Sequence, residues 1–175
     1  MNVTTMSRQD KAADILDSAE RMVRQGGYNG FSYRDVAADV GIKSSSVHYH
    51  FPTKEALCET LARRYTQRFI EALGQPSEQS SARSGIEKYI SLYHSALVDD
   101  GLMCLCGVMG AEYHALPELV RNQAKSFFEE NITWLEQVLK LKGGLPEPEL
   151  RHTYALRIIA TLEGAMILSQ TLEND

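Results

Sequence analysis

The stretch SYRDVAADVGIKSSSVHYHFPTKEAL, running from Ser32 to Leu57, reads as two short helices around a glycine turn, a proline break and the start of a longer helix. Ser32 is placed to cap the first helix, with Asp35 three residues on in a capping-box position. Val36, Ala37 and Val40 form its apolar side. Gly41 permits a sharp turn, and Ile42 and Val47 can wedge the two helices together. Pro52 ends the second helix, and Thr53 is a cap for the next. A helix pair of this kind lays its second helix in the DNA major groove. Spacing alone leaves a second reading open, a helical hairpin whose polar residues are simply solvated.

Outward from this stretch the chain reads as helix after helix. Ala12, Ile15, Leu16, Ala19, Met22 and Val23 give an apolar stripe to a first helix over residues 8–25, stopped by Gly26 and Gly27. Leu57, Leu61, Tyr65, Phe69 and Leu73 repeat every fourth residue along the fourth. The polar run GQPSEQSSARSG, residues 74–85, marks a domain boundary. Four further helices follow, a fifth through Ile86, Tyr89, Ile90, Tyr93 and Leu97, then residues 102–114, 117–142 and 149–172. All five prolines fall between helical patterns, and no segment alternates as a strand.

With 43% hydrophobic and 23% charged residues, the 175-residue chain is expected to form a globular protein with a sizeable core. Its longest run without a strongly polar side chain, residues 101–111, is too short to span a bilayer. The first fourteen residues lack an apolar secretory core, so a cytoplasmic location is expected. Three cysteines, Cys58, Cys104 and Cys106, do not suggest a disulfide framework. The net charge of −5 argues against a general polyanion binder. Residues 1–74 hold ten Lys and Arg against nine Asp and Glu, whereas residues 75–175 hold eight against fourteen. Nucleic-acid contact therefore belongs to the N-terminal part and must be focused.

Within that part, Ser44, Ser45 and Ser46 bring small hydroxyls to the start of the third helix, where they can approach base edges or phosphates. His48, Tyr49, His50 and Lys54 cluster at the same end and suit phosphate anchoring, and Arg34 can reach the backbone or a groove edge.

From about Ala19 to Leu57 the sequence resembles the DNA-binding domain of the tetracycline-repressor (TetR/AcrR) family. Gly27 and Tyr28 fall on that family's Gly-aromatic step, Val36 and Ala37 on its Ile-Ala pair, and Gly41 on its turn glycine. His50 and Phe51 match its His-Phe, and Thr53, Lys54, Glu55 and Leu57 match its Ser-Lys-Glu-x-Leu. The match is gap-free and covers under a third of the chain. Lys43 stands where the family has a capping Ser, so Ser44 is expected to take over as cap, and the His48-Tyr49 step moves the usual aromatic by one. The resemblance implies that Tyr49, His50 and Lys54 contact phosphates while Ser44, Ser45, Ser46 and His48 read bases.

One such module covers too few base pairs for a specific regulator, so a two-fold homodimer on a palindromic operator is expected. On the seventh helix Phe128, Ile132, Leu135 and Leu139 form a stripe; on the eighth, Ile158, Leu162 and Ala165 face a partner, Gly164 allowing close approach. A four-helix interface is what the resemblance implies; burial of both helices within one chain is the competing reading. The fifth to seventh helices would enclose an effector pocket lined by Tyr89, Tyr93, His94, Met103, Cys104, Met109, Tyr113 and Trp134, though such a stripe also fits plain core.

The segment MCLCGVMGAE, residues 103–112, is similar to a Gly-Cys-Leu-Leu-Gly-Asn-Leu-Ala-Ala-Glu stretch in some family members, with Cys104 and Glu112 on matching positions. Some such relatives sense electrophiles or oxidants, and a thiol near a helix N-terminus gains thiolate character. A buried, inert cysteine is the competing reading. Cys104 and Cys106 point to nearly opposite helix faces, which disfavours a shared metal site with His114. Cys58 reads as core.

The sequence thus predicts an all-α protein: a helix-turn-helix DNA-binding domain over residues 1–52, a connecting helix over 53–74, and an effector-binding and dimerisation bundle over 75–175. The expected partners are double-stranded operator DNA, a small-molecule effector and a second copy, with no membrane and no cofactor. The expected function is a repressor released by its effector and not an enzyme. The alternatives are a constitutive DNA-binding protein and a thiol or ligand-binding enzyme carrying a helical hairpin.

Overall fold

The computed structural model describes residues 8–172, and those residues are helical with no strand among them. The secretory reading of the first seven residues lies outside the described residues. Eight α-helices follow in order: α1 (Arg8–Gly26), α2 (Tyr33–Val40), α3 (Ser44–His50), α4 (Lys54–Leu73), α5 (Ala82–His94), α6 (Leu105–Ala111), α7 (Glu118–Val138) and α8 (Pro148–Thr171).

The caps form as the residue types dictate. Asp35 accepts from the Ser32 backbone N–H at 2.7 Å, and Ser32 Oγ accepts from the Asp35 N–H at 3.4 Å, closing the capping box on α2. Gly41 ends that helix at φ 72°, a left-handed conformation suited to glycine. Thr53 Oγ1 accepts the Ala56 N–H at 3.1 Å and starts α4. Ser44, however, does not cap α3. It is the first helical residue, Lys43 occupies the cap position, and no side chain satisfies the N-terminal donors there.

Three helices differ from expectation in their bounds. Residues 95–99 form a π-helical turn rather than continuing α5, and Gly101 then reverses the chain at φ 65°. Cys104 Sγ accepts the Gly107 N–H at 3.4 Å, so α6 starts at Leu105 instead of 102 and ends at Ala111. Helix α7 stops at Val138 rather than 142, where Leu139 carbonyl accepts Leu145 N–H across a turn with Gly143 at φ 79°.

One hydrophobic core runs through all eight helices. At one end of α4, Leu57, Cys58 and Leu61 are fully buried in the same core as Val36 and Val47. At its other end, α4 packs most extensively on α7, with the Phe69 and Phe127 rings 5.3 Å apart and edge-on. Helix α4 therefore belongs to both halves. Replacing Ser32 with Ala removes one side of the capping box and is expected to cost about 1 kcal/mol. Urea unfolding of the variant beside the parent measures it.

Candidate nucleic-acid interface and its link to the regulatory half

Val47 is fully buried against the N-terminal core, so the opposite side of α3 faces outward. Ser45, His48 and Tyr49 lie on that side, exposed, with Ser44, Ser46 and His50 half-buried beside them and Arg34 exposed on α2. Tyr33 fixes the arrangement. Its hydroxyl donates to the Phe51 carbonyl at 2.9 Å, and its ring lies 4.5 Å from the His48 ring. The Tyr49 and His50 rings meet edge-on at 5.4 Å. The result is one short helix face presenting hydroxyl, imidazole and phenol groups on a rigid base.

Lys54 departs from the expected role. Its ammonium donates to the Phe31 carbonyl at 2.5 Å and sits over the Phe31 and Tyr28 rings, at 4.2 and 4.9 Å from their centroids. Burial lowers its pKa, against the opposing pull of Cys58, Asp35 and Glu112. It pins the α1–α2 loop to the start of α4 rather than standing free for a phosphate.

Two contacts tie α1 and the loop after it to the C-terminal helices. Glu112, just after α6, accepts the Tyr28 backbone N–H at 2.7 Å. Gly27 adjoins it at φ 76°, and a side chain there would lie 2.5 Å from Glu112 Oε1. Arg24, buried on α1, donates to the Met103 carbonyl at 2.6 Å and approaches Asp100 at 3.8 Å. Glu20, one turn earlier and equally buried, receives Arg68 at 2.6 Å and Arg64 at 3.3 Å, both from α4. Glu112 stood out in the sequence without a role, whereas Glu20 and Arg24 did not stand out, since opposite charges four residues apart are an ordinary pattern on a helix surface.

The expected effector residues divide. Tyr89, Tyr93, Met103, Cys104, Met109 and Trp134 are buried in the core, while His94 and Tyr113 are exposed. A pocket of about 330 Å³ lies nearer the junction, walled by Tyr65, Phe69, Leu92 and Ala96 with Glu20, Arg24, Arg68 and Asp100 around it.

The surroundings of Cys104 disfavour a thiolate. Cys104 does accept an N–H at the start of α6, but burial and then the neighbouring Glu163 carboxylate push its pKa up. Burial likewise raises Cys106 and takes Cys58 up to about 12. Deprotonation would place an unpaired charge in the interior, which outweighs the helix-terminus effect. Among the described residues no group of three or more His, Cys, Asp or Glu is placed to hold a metal.

The helix-turn-helix at one end of a helical bundle defines a DNA-binding regulator. Residues 15–61 match the sequence profile of the bacterial regulatory proteins of the tetR family. Over 99% of its length the chain is 33% identical to a TetR transcriptional regulator of Legionella pneumophila, covering 91% of that chain with a TM-score of 0.87. A TetR-family regulator of Agrobacterium tumefaciens is 30% identical, with 94% and 89% of the two chains covered and a TM-score of 0.84. The transcriptional repressor DhaR of a Mycobacterium species is 22% identical over 71% of this chain, an alignment spanning 63% of DhaR. The chain belongs to the TetR family of transcriptional regulators. Such regulators act by binding DNA, and no described helix is long and apolar enough to cross a membrane.

Burial holds the Glu163 carboxyl above the ordinary carboxylate range, outweighing hydrogen bonds with Cys104 and Tyr93 that favour ionisation. A raised carboxyl pKa contributes stability in acid that is lost as pH rises through the raised value. The melting temperature of Glu163→Gln should therefore gain on the parent as pH rises above the ordinary carboxylate range. Paired thermal melts check this; a constant difference means the group titrates normally.

Proposed function

We propose that the chain is a homodimeric repressor that binds a palindromic operator and is released by a small-molecule effector. The observation that carries the DNA-docking part is the outward face of α3, with Ser45, His48 and Tyr49 exposed above buried Val47. Tyr49 and His50 serve as phosphate contacts, Ser44, Ser45, Ser46 and His48 as base readers, and Arg34 as a backbone contact. Lys54 acts mainly by holding the loop beneath them. Residues 1–52 form the docking unit, residues 53–74 the link, and residues 75–175 the regulatory and dimerisation unit. The DhaR name supports repression; the closer relatives are named only as regulators.

For dimerisation the support is the outer side of α8. Tyr154, Ile158, Thr161, Ala165, Leu168 and Leu172 recur at helical spacing, and Leu168 and Leu172 are about 60% exposed. Ala155, Ile159 and Met166 on the inner side are buried. A helix apolar on two sides calls for a second covering surface. Leu162 is half-buried toward the core, and Leu135 and Leu139 are buried within the protomer, so these last two do not serve the interface as expected. Phe128 and Ile132, half-buried on α7, remain available beside α8.

Release follows if effector binding opens the contacts of Glu112 with Tyr28 and of Arg24 with Met103 and Asp100, changing the spacing of the two α3 helices. The effector must bind the released state more tightly, since equal affinity shifts nothing.

Replacing Tyr49 with Ala is expected to weaken operator affinity at least about tenfold and to flatten its salt dependence. Fluorescence anisotropy on the chain's own upstream DNA across a salt series tests it, and an unchanged affinity rejects the docking face. Replacing Leu168 with Glu is expected to convert a dimer to a monomer in sedimentation equilibrium. A parent that sediments as a monomer rejects the dimer.

A further inference from the structure

Positive charge is scarce at the DNA-reading end, because the chain carries a net −5 and its first 74 residues are nearly balanced. Duplex DNA is held mainly by cations set against its phosphates and its acceptor-bearing base edges. Most N-terminal cations are already engaged within the protein. Arg21 pairs with Asp39, Arg63 with Glu59, and Arg64 and Arg68 with Glu20. Arg24 is buried against the Met103 carbonyl, and Lys54 is folded onto the Phe31 carbonyl. Over residues 11–74 this leaves Lys11, Arg34 and Lys43, which enter no ion pair or hydrogen bond among the described residues. Lys11 stands on α1, so Arg34 and Lys43 are the uncommitted cations of the helix-turn-helix itself.

These two sit in different places. Arg34 is exposed in the first turn of α2. Lys43 is exposed at the N-cap of α3, in extended backbone at φ −79° and ψ 146°, directly before the three serines. It cannot cap that helix, since a helix start needs an acceptor and an ammonium only donates. The chain has no acid between Asp39 and Glu55, so no near neighbour in sequence neutralises it.

Docking geometry divides their tasks. In a helix-turn-helix the first helix crosses the DNA backbone, and the N-terminal residues of the second meet the base edges. Arg34 on α2 then falls to a phosphate, whereas Lys43 enters the major groove with the start of α3. The side chains of Ser44, Ser45 and Ser46 are short, and the flexible four-carbon stem of Lys43 carries its charge beyond them. Its ammonium offers three donors and no acceptor. Guanine alone presents two acceptors side by side in the major groove, N7 and O6. Adenine and cytosine place an amino donor there, and thymine offers one acceptor beside a methyl group.

We propose that Lys43 is a specificity-determining residue whose ammonium donates to N7 and O6 of one guanine in each operator half-site. The assignment rests on the docking reading above and names a base that this reading leaves open. Position 43 thus exchanges a helix cap for a base contact.

Binding selection from a library of randomised duplexes tests this, with the parent, Lys43→Ala and Lys43→Arg. The side chain is exposed, so the melts of both variants should match the parent's. The parent is expected to enrich guanine at one position of each half-site. Lys43→Ala should lose at least about fivefold of that preference and keep the others, while Lys43→Arg, which also suits guanine, retains it. Replacing the selected guanine by 7-deazaguanine, which lacks the N7 acceptor, should weaken the parent and leave Lys43→Ala unchanged. A Lys43→Ala loss that is uniform across sequences, with the salt slope lowered by about one, makes Lys43 a phosphate contact and overturns the proposal. Unchanged selection by Lys43→Ala overturns it too, and in both cases docking through α3 stands. A parent that enriches no sequence removes the docking reading and the proposal together.

Discussion

Everything in this molecule depends on α4 being packed from both sides. Its first turns carry Leu57, Cys58 and Leu61 into the core of the DNA-reading end, and its last turns carry Phe69 onto Phe127 of α7. Because close-packed interiors resist gradual deformation, a change in one half reaches the other as a shift of the whole helix. The Arg64 and Arg68 bonds to Glu20 reinforce this by tying α4 to α1 on a third side. Tyr33 and Lys54 fasten the outward face of α3 from beneath.

The all-helical fold and the position of the helix-turn-helix were legible because local signals agree there. Ser32 with Asp35, Gly41, and Thr53 after Pro52 each name a boundary by their own chemistry. The segment around α6 was less legible for an equally local reason. Its start is set by a cysteine acting as a cap and by a left-handed glycine, neither of which stands out in a run of apolar residues. The π-helical turn before it leaves no pattern in residue type at all.

The site residues show where residue chemistry stops being informative. Lys54 and Cys104 carry groups that suit phosphate contact and thiolate reactivity, and both suggestions came from type and position along a helix. Orientation decides otherwise, since one ammonium is folded over two aromatic rings and one thiol is sealed beside a carboxylate. Glu163 was missed because α8 is apolar on more than one side. A helix without a single polar face gives no direction, so its one inward acid reads as a surface residue. Leu135 and Leu139 were misplaced for the related reason that an apolar stripe does not say which neighbour covers it.

The junction at Gly27 has a consequence for how such regulators can be recombined. The glycine is held in a conformation that disfavours side chains, and the Glu112 carboxylate fills the space where one would go. The two halves of the molecule thus share a fitting whose parts come from residues 85 positions apart in the chain. A chimera joining this reading head to another regulatory half must carry a glutamate at the matching place, or the head is left loosely attached. The modular unit of the protein is therefore the reading head together with its socket, although the two are separated in sequence.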